Sequence, residues 1–315
     1  MFLLRCLGVS LSFFLLLYGA FSLLVMRGWR LAHRAGRKMS AQRLANLLFA
    51  LRTLPFAAAF IVTAIFVVPS FLLLEPRVVA EPIGEIPLTL GSACLLLLGA
   101  GVWNAVNAQR KTSHAVSGWL RDSTTDSHCY PVPLFRIRPS APALAVAGGL
   151  SPRVLLSDAA AASLSAHELD AALKHEIAHV ERRDNLKKLL FRFFALSGLA
   201  ALESAWSEAA EMAADDAAVS NSRQALDLAS ALIKLSRFAT PRTSVLATGL
   251  AHTSGSALNA RIARLVSWDE SHRSNPSGSF LKFGVPALLG AALCVTANYG
   301  VALVDTHKMT EWLVR

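Results

Sequence analysis

Four long apolar stretches constrain what this chain can fold into more than anything else in it. They lie at about Phe2–Met26, Leu54–Leu74, Pro87–Val106 and Phe283–Val304. Each comes near the roughly twenty residues that carry a helix across a bilayer. A helix pairs its own backbone N–H and C=O groups, so lipid admits it where it rejects irregular chain. Composition agrees, since 54% of the 315 residues are hydrophobic and only 17% are charged, an apolar balance uncommon in soluble globular domains. The first stretch is too long for the apolar part of a signal peptide and has no small-residue cleavage site before Arg27, which points to a retained anchor.

Charge sets the expected orientation. Arg27, Arg30, Arg34, Arg37, Lys38 and Arg43 lie between the first two stretches, whereas the next connection sets Arg77 against Glu75, Glu81 and Glu85. The positive-inside rule therefore places the basic loop 27–43 in the cytoplasm. Residues 1–106 then hold three spans, residues 107–280 form a cytoplasmic domain, residues 281–304 supply a fourth span, and 305–315 are a short extracytoplasmic tail. The net charge of +10 reads as topogenic and lipid-facing. Direct nucleic-acid binding is not expected, because the soluble part has no basic cluster interleaved with aromatics.

Within the expected soluble domain, His175-Glu176-Ile177-Ala178-His179 spells H-E-x-x-H. On a helix, residues four apart share a face, so the two imidazoles can hold one zinc ion between them. Glu176, one position along, can act as the general base toward a water near that metal. Ser165 and Glu168 form an S-x-x-E capping box that starts a helix from Ala166 to about Arg183. Catalytic zinc sites need a third protein ligand. The acidic, Ala-rich segment from Glu208 to Val219 offers Glu211 and Asp215, four apart on one face. One could bind the metal while the other accepts the free ring N–H of a ligand histidine. Glu203, Glu208 and Asp216 read as a solvated acidic face.

The run Leu173-Lys174-His175-Glu176-Ile177-Ala178-His179-Val180-Glu181-Arg182-Arg183-Asp184-Asn185-Leu186 resembles the integral-membrane zinc peptidases of the BlaR/MecR antirepressor class, gluzincins with H-E-x-x-H. Residues 142–156 are similar to the family's strand pair, Glu211 with Asp215 to its ligand-bearing segment, and Ala260-Arg261-Ile262-Ala263-Arg264-Leu265 to its closing helix. The resemblance implies His175, His179 and Glu211 as zinc ligands, Glu176 as general base and Asp215 as the residue orienting a ligand imidazole. Ala214 stands where many members carry Cys, so the segment looks more like the E-x-x-A-D of the related prenyl-protein endopeptidases.

The expected architecture is therefore mainly α: a multi-span helical membrane protein carrying a cytoplasmic, zincin-like α+β metallopeptidase domain with a small β-hairpin or sheet. Leu134–Ser157 holds the strand candidates, with Gly148-Gly149 turning between Ala143–Ala147 and Arg153–Leu156. An edge strand of such a sheet would hold an extended substrate. Arg223–Phe238 and Ser256–Trp268 read as amphipathic helices and 271–279 as a linker. Leu186–Leu202 is apolar enough to suggest another span, but a single crossing there would put the histidines and Glu211 on opposite sides of the membrane. An interfacial helix, with Phe191, Phe193 and Phe194 at the bilayer edge, meets both constraints. The four cysteines form no C-x-x-C pair, which suits a cytoplasmic domain. His114, His128 and His252 have no partner at ligand spacing.

The expected partners are the lipid bilayer and a protein or peptide substrate, with a transcriptional repressor the substrate that the resemblance implies. Only Asp305–Arg315 follow the last apolar stretch, so no β-lactam sensor domain is expected there. The readings that compete with a signalling peptidase of the inner membrane are a catalytically silent scaffold and a prenyl-protein or membrane quality-control protease.

Overall fold

The computed structural model describes residues 2–76, 84–121, 123–125, 133–137, 143–194, 198–238, 247–248, 255–268 and 298–314. Helices dominate. In order these are α1 (Phe2–Gly36), α2 (Ala41–Val62), α3 (Val68–Leu74) and α4 (Glu85–Leu120), with a π-helical turn at Thr63–Val67 joining α2 to α3. Strands β1 (Thr124–Thr125), β2 (Leu134–Ile137), β3 (Leu144–Ala147) and β4 (Arg153–Ser157) follow. Next come α5 (Asp158–Ser163), α6 (Ala166–Glu181), α7 (Asp184–Phe193), α8 (Ala200–Ala218) and α9 (Ser222–Ser236). Strand β5 (Ala247–Thr248), α10 (Gly255–Val266) and α11 (Tyr299–Val314) complete the described order.

Among the described residues, three helical segments are long and apolar enough to cross a membrane: Phe2–Gly36, Ala41–Leu74 and Glu85–Leu120. They contain the first three apolar stretches of the sequence and run past them. The basic stretch 27–43 is accordingly helix at both ends, and only Arg37–Ser40 separate α1 from α2. The fourth expected span, Phe283–Val304, falls largely outside the described residues, as do the 271–279 linker, Cys129, Cys294, His128 and His252.

One compact unit comprises residues 1–29, 51–99 and 274–315. Its helices expose apolar side chains, among them Leu3, Phe60, Leu73 and Leu96, as lipid-facing helices do. Small residues bring its backbones together: a Cβ on Gly91 would meet Gly8 O at 3.2 Å, and Ser12 Oγ donates to Pro87 O at 3.2 Å. Phe14, Tyr18 and Phe56 pack as an aromatic trio, and Arg5 pairs with Glu75 at 3.3 Å.

The second unit, residues 30–50 and 100–273, holds a small mixed sheet of order β1-β2-β4-β3-β5 among the described residues. β3 and β4 form the expected antiparallel hairpin, with Val146 opposite Val154, and β2 runs parallel to β4. Gly148 makes the turn at φ 102°, where a Cβ would stand 2.6 Å from Ser151 O, so only glycine fits. The inner face of the hairpin joins α6, α9 and α10 in one core containing Leu144, Val146, Leu156, Leu173, Leu228, Leu232, Leu235 and Leu265. Ser165 and Glu168 make the capping box that starts α6, and Glu168 also accepts from Ser230 and Lys234 of α9.

The interfacial reading of Leu186–Leu202 needs correction. Phe191 and Phe194 are buried in the protein, at 7% and 8% exposure. Phe191 packs edge-on against Trp206 and beside Phe49. Hydropathy marked these rings as apolar, but a protein core and a bilayer edge ask for the same side chains.

Candidate metal centre

Helix α6 presents both histidines on its buried side. His175, Glu176 and His179 are 0%, 0% and 2% exposed. The two Nε2 atoms lie 3.1 Å apart. Helix α8 brings in Glu211, with Oε2 3.5 Å from His175 Nε2 and Oε1 3.7 Å from His179 Nε2. Among the described residues, His175, His179 and Glu211 form the group whose ligand atoms all lie within 4.8 Å of one another. This group contains the three residues that the family resemblance implied as ligands, and Glu208, on the same helix, is exposed.

Each imidazole is held from behind by a carboxylate. Asp184, at the first position of α7, takes the His179 Nδ1 proton at 2.8 Å. Asp215, one turn beyond Glu211, places Oδ1 3.0 Å from His175 Nδ1. A carboxylate only accepts, so His179 Nδ1 carries the proton and its Nε2 faces inward, whereas His175 Nδ1 lies near Asp215 without a well-aligned hydrogen bond. The expected orienting role of Asp215 is consistent with this placement. Asp184 serves the second histidine in the same way, which sequence reasoning missed. A carboxylate just past the end of the motif helix was the available signal.

Arg261 of α10, 3% exposed, is the other participant that sequence reasoning left unassigned. Its Nε and Nη2 donate to Asp215 at 2.9 and 2.6 Å, and Nη1 lies 3.0 Å from Glu211 Oε2. Two further arginines grip the backbone on either side of Glu211. Arg182 Nη1 donates to Ala210 O at 3.0 Å, and Arg264 Nη2 to Met212 O at 2.8 Å. Glu211 is therefore fixed through its helix as well as through its side chain.

Electrostatics follow from burial. Desolvation alone would raise the Glu211 carboxyl, but His179 and Arg261 outweigh it and hold the group well below the usual carboxylate range. Asp215 is likewise held down by the Arg261 guanidinium against its burial. Burial disfavours a charged His179, yet the Glu211 carboxylate and the bond to Asp184 push its pKa up to about 9. Two inward-facing nitrogens at 3.1 Å repel unless a proton or a cation lies between them. Tetrahedral zinc sets two nitrogen ligands about 3.3 Å apart. Glu211 Oε2 has Arg261 Nη1 at 3.0 Å and His175 Nε2 at 3.5 Å but no well-aligned hydrogen bond among the described residues. The donor set fits a divalent metal.

The remaining acid, Glu176, is tied to the sheet: its Oε2 accepts the backbone N–H of Val146 on β3 at 3.2 Å. Asn185 grips the same strand, donating through Nδ2 to Val146 O and Gly148 O at 3.1 Å each. Between the zinc-motif helix and α7, Arg183 adopts φ 54°, the left-handed region. That turn lets Asp184 face back to His179 while Asn185 faces the strand.

No curated protein matches the chain. Residues 136–265, which include β3, β4, α6, α8 and Arg261, match the family model described as BlaR1 peptidase M56.

Proposed function

We propose that this protein is a zinc-dependent endopeptidase of the inner membrane that cleaves a protein substrate on the cytoplasmic side. The observation that carries the reading is the convergence of His175, His179 and Glu211 beside Glu176, with both Nδ1 atoms turned away onto carboxylates. When bound, zinc would supply a Lewis acid that makes water a nucleophile near neutral pH. The two imidazoles and Glu211 would hold the ion and leave one position open. Asp184 and Asp215 keep the ligand nitrogens basic and aimed inward. Glu176, held by the Val146 N–H, takes a proton from the attacking water and returns it to the leaving amine. Among cytoplasmic substrates, a transcriptional repressor is the one suggested by the family match, with membrane proteins or the chain itself as further targets.

The test compares the parent with Glu176→Gln. Zinc content and thermal stability should match, while cleaved peptides recovered from cells disappear. Equal processing by both proteins would instead favour a silent scaffold. For the orientation, a reporter fused after Asn107 should behave as cytoplasmic and one near Ile83 as extracytoplasmic.

A further inference from the structure

We propose that Asn185 is a positioning residue for the Glu176 carboxylate, acting on it through strand β3; the inference rests on the peptidase reading above. Glu176 Oε2 is held by the N–H of Val146, and the C=O of Val146 is held by Asn185 Nδ2. In an extended strand the N–H and C=O of one residue point to the same side. Fixing the carbonyl therefore fixes the direction of the amide that orients the base. The second proton of the same Nδ2 goes to Gly148 O, so the end of β3 is pinned at two carbonyls, one on each side of Ala147.

The residue type follows from this task. Both neighbours are carbonyl acceptors, so the side chain must present an NH2 group with two donors, and this settles which end of the amide faces the strand. Asp at this position could donate to neither. Asn185 is 5% exposed and Val146 1%, so no bulk water is at hand to replace a lost bond. The preceding left-handed turn at Arg183 gives two consecutive residues two different duties. Asp184 faces a metal ligand, and Asn185 faces the strand that holds the base.

The experiment uses the full chain, loaded with zinc and then stripped of it, in Asn185→Ala and Asn185→Asp variants. Zinc stoichiometry should stay at the parental value in both. On dye-labelled casein, kcat should fall by about tenfold with KM nearly unchanged, as expected when a base is misaligned and substrate binding is left alone. In the Glu176→Gln background, single-turnover cleavage should change by less than about twofold on adding Asn185→Ala, because two residues that act as a unit are not additive. Amide exchange of segment 144–148 in the metal-free protein should accelerate in Asn185→Ala, a reading that needs no activity. Parental kcat in Asn185→Ala, the same loss with and without Glu176, or unchanged exchange in β3 would each overturn the assignment. Parental cleavage that survives Glu176→Gln would overturn the peptidase reading, while the exchange measurement would still decide whether Asn185 holds the strand.

Discussion

Asp184 Oδ2 and His179 Nδ1 are 2.8 Å apart, and Asp184 is itself wholly buried between Lys187 and Arg182. Against its burial, the bond to His179 and the charge there, followed by Arg182 and Lys187, hold its carboxyl below the usual range, so it stays an acceptor. Asp184→Asn can offer its own N–H to the ring and so stabilise the wrong tautomer. We expect zinc affinity to fall by about 10–100-fold. Competition against a chromophoric chelator measures it, and unchanged affinity would leave Asp184 with only a packing role.

Metal binding should be coupled to a proton. In the metal-free protein His179 titrates at about 9, so near neutral pH an entering cation displaces one proton. Apparent metal affinity should rise about tenfold per pH unit from about pH 6.5 and level off above about 9. Stability of the metal-free protein should run the other way. The folded value lies above the unfolded one, so the contribution of His179 is fully present below about 6.5 and is lost as pH rises through about 9. Thermal midpoints with and without chelator, recorded across that window, should diverge as pH increases.

The Glu168 network makes a separate acid-side prediction. Ser165, Ser230 and Lys234 overcome the penalty of burial and lower its pKa to about 2 from 4.5. A depressed value contributes stability above the unfolded pKa, and that stability is lost as pH falls through about 2. At neutral pH, Glu168→Gln should cost about 1–3 kcal/mol, because one change removes the capping box and the tie to α9. The gap between parent and variant should close as pH falls from about 5 to about 2. Denaturant titrations at several pH values measure it, and a gap that stays constant would show the cost to be one of shape.

Arg183 tests the connection between the two site helices. Its φ of 54° costs a side chain with a Cβ roughly 1 kcal/mol. Arg183→Gly should therefore raise stability by about 0.5–1 kcal/mol, and Arg183→Val should lower it by about 1–2 kcal/mol, since a branched Cβ is least tolerated there. A destabilised glycine variant would mean that the exposed guanidinium matters more than the backbone.

The pairing of the two candidate histidines was legible in the sequence because helical spacing is a local rule. His175 and His179 share a face by geometry alone, and Ser165 with Glu168 announced where their helix begins. The hairpin was legible too, because Gly148 punctuates two apolar runs. Partnerships made across the fold were not. Nothing within α10 says that Arg261 meets Asp215 of α8, and periodicity would place it as readily on a solvated face. Strands β1 and β5 are two residues each, too short to carry an alternating pattern, and β2 reaches β4 by a parallel pairing that skips over β3 in sequence. Phe191 misled for a related reason, since its partners Trp206 and Phe49 lie on other helices.

Strand β3, Glu176, both histidines and Asp184 occupy one unbroken run from Leu144 to Asn185, whereas Glu211, Asp215 and Arg261 come later in the chain. Synthesis therefore delivers the centre in instalments. A nascent chain that has emerged only through α7 owns two imidazoles and a base but just two of three ligands, and a two-ligand site holds zinc weakly. Full metal capture waits for α8, and the grip on Glu211 waits for α10. The complete donor set and its supports therefore exist only once nearly all of this unit, through α10, has been made.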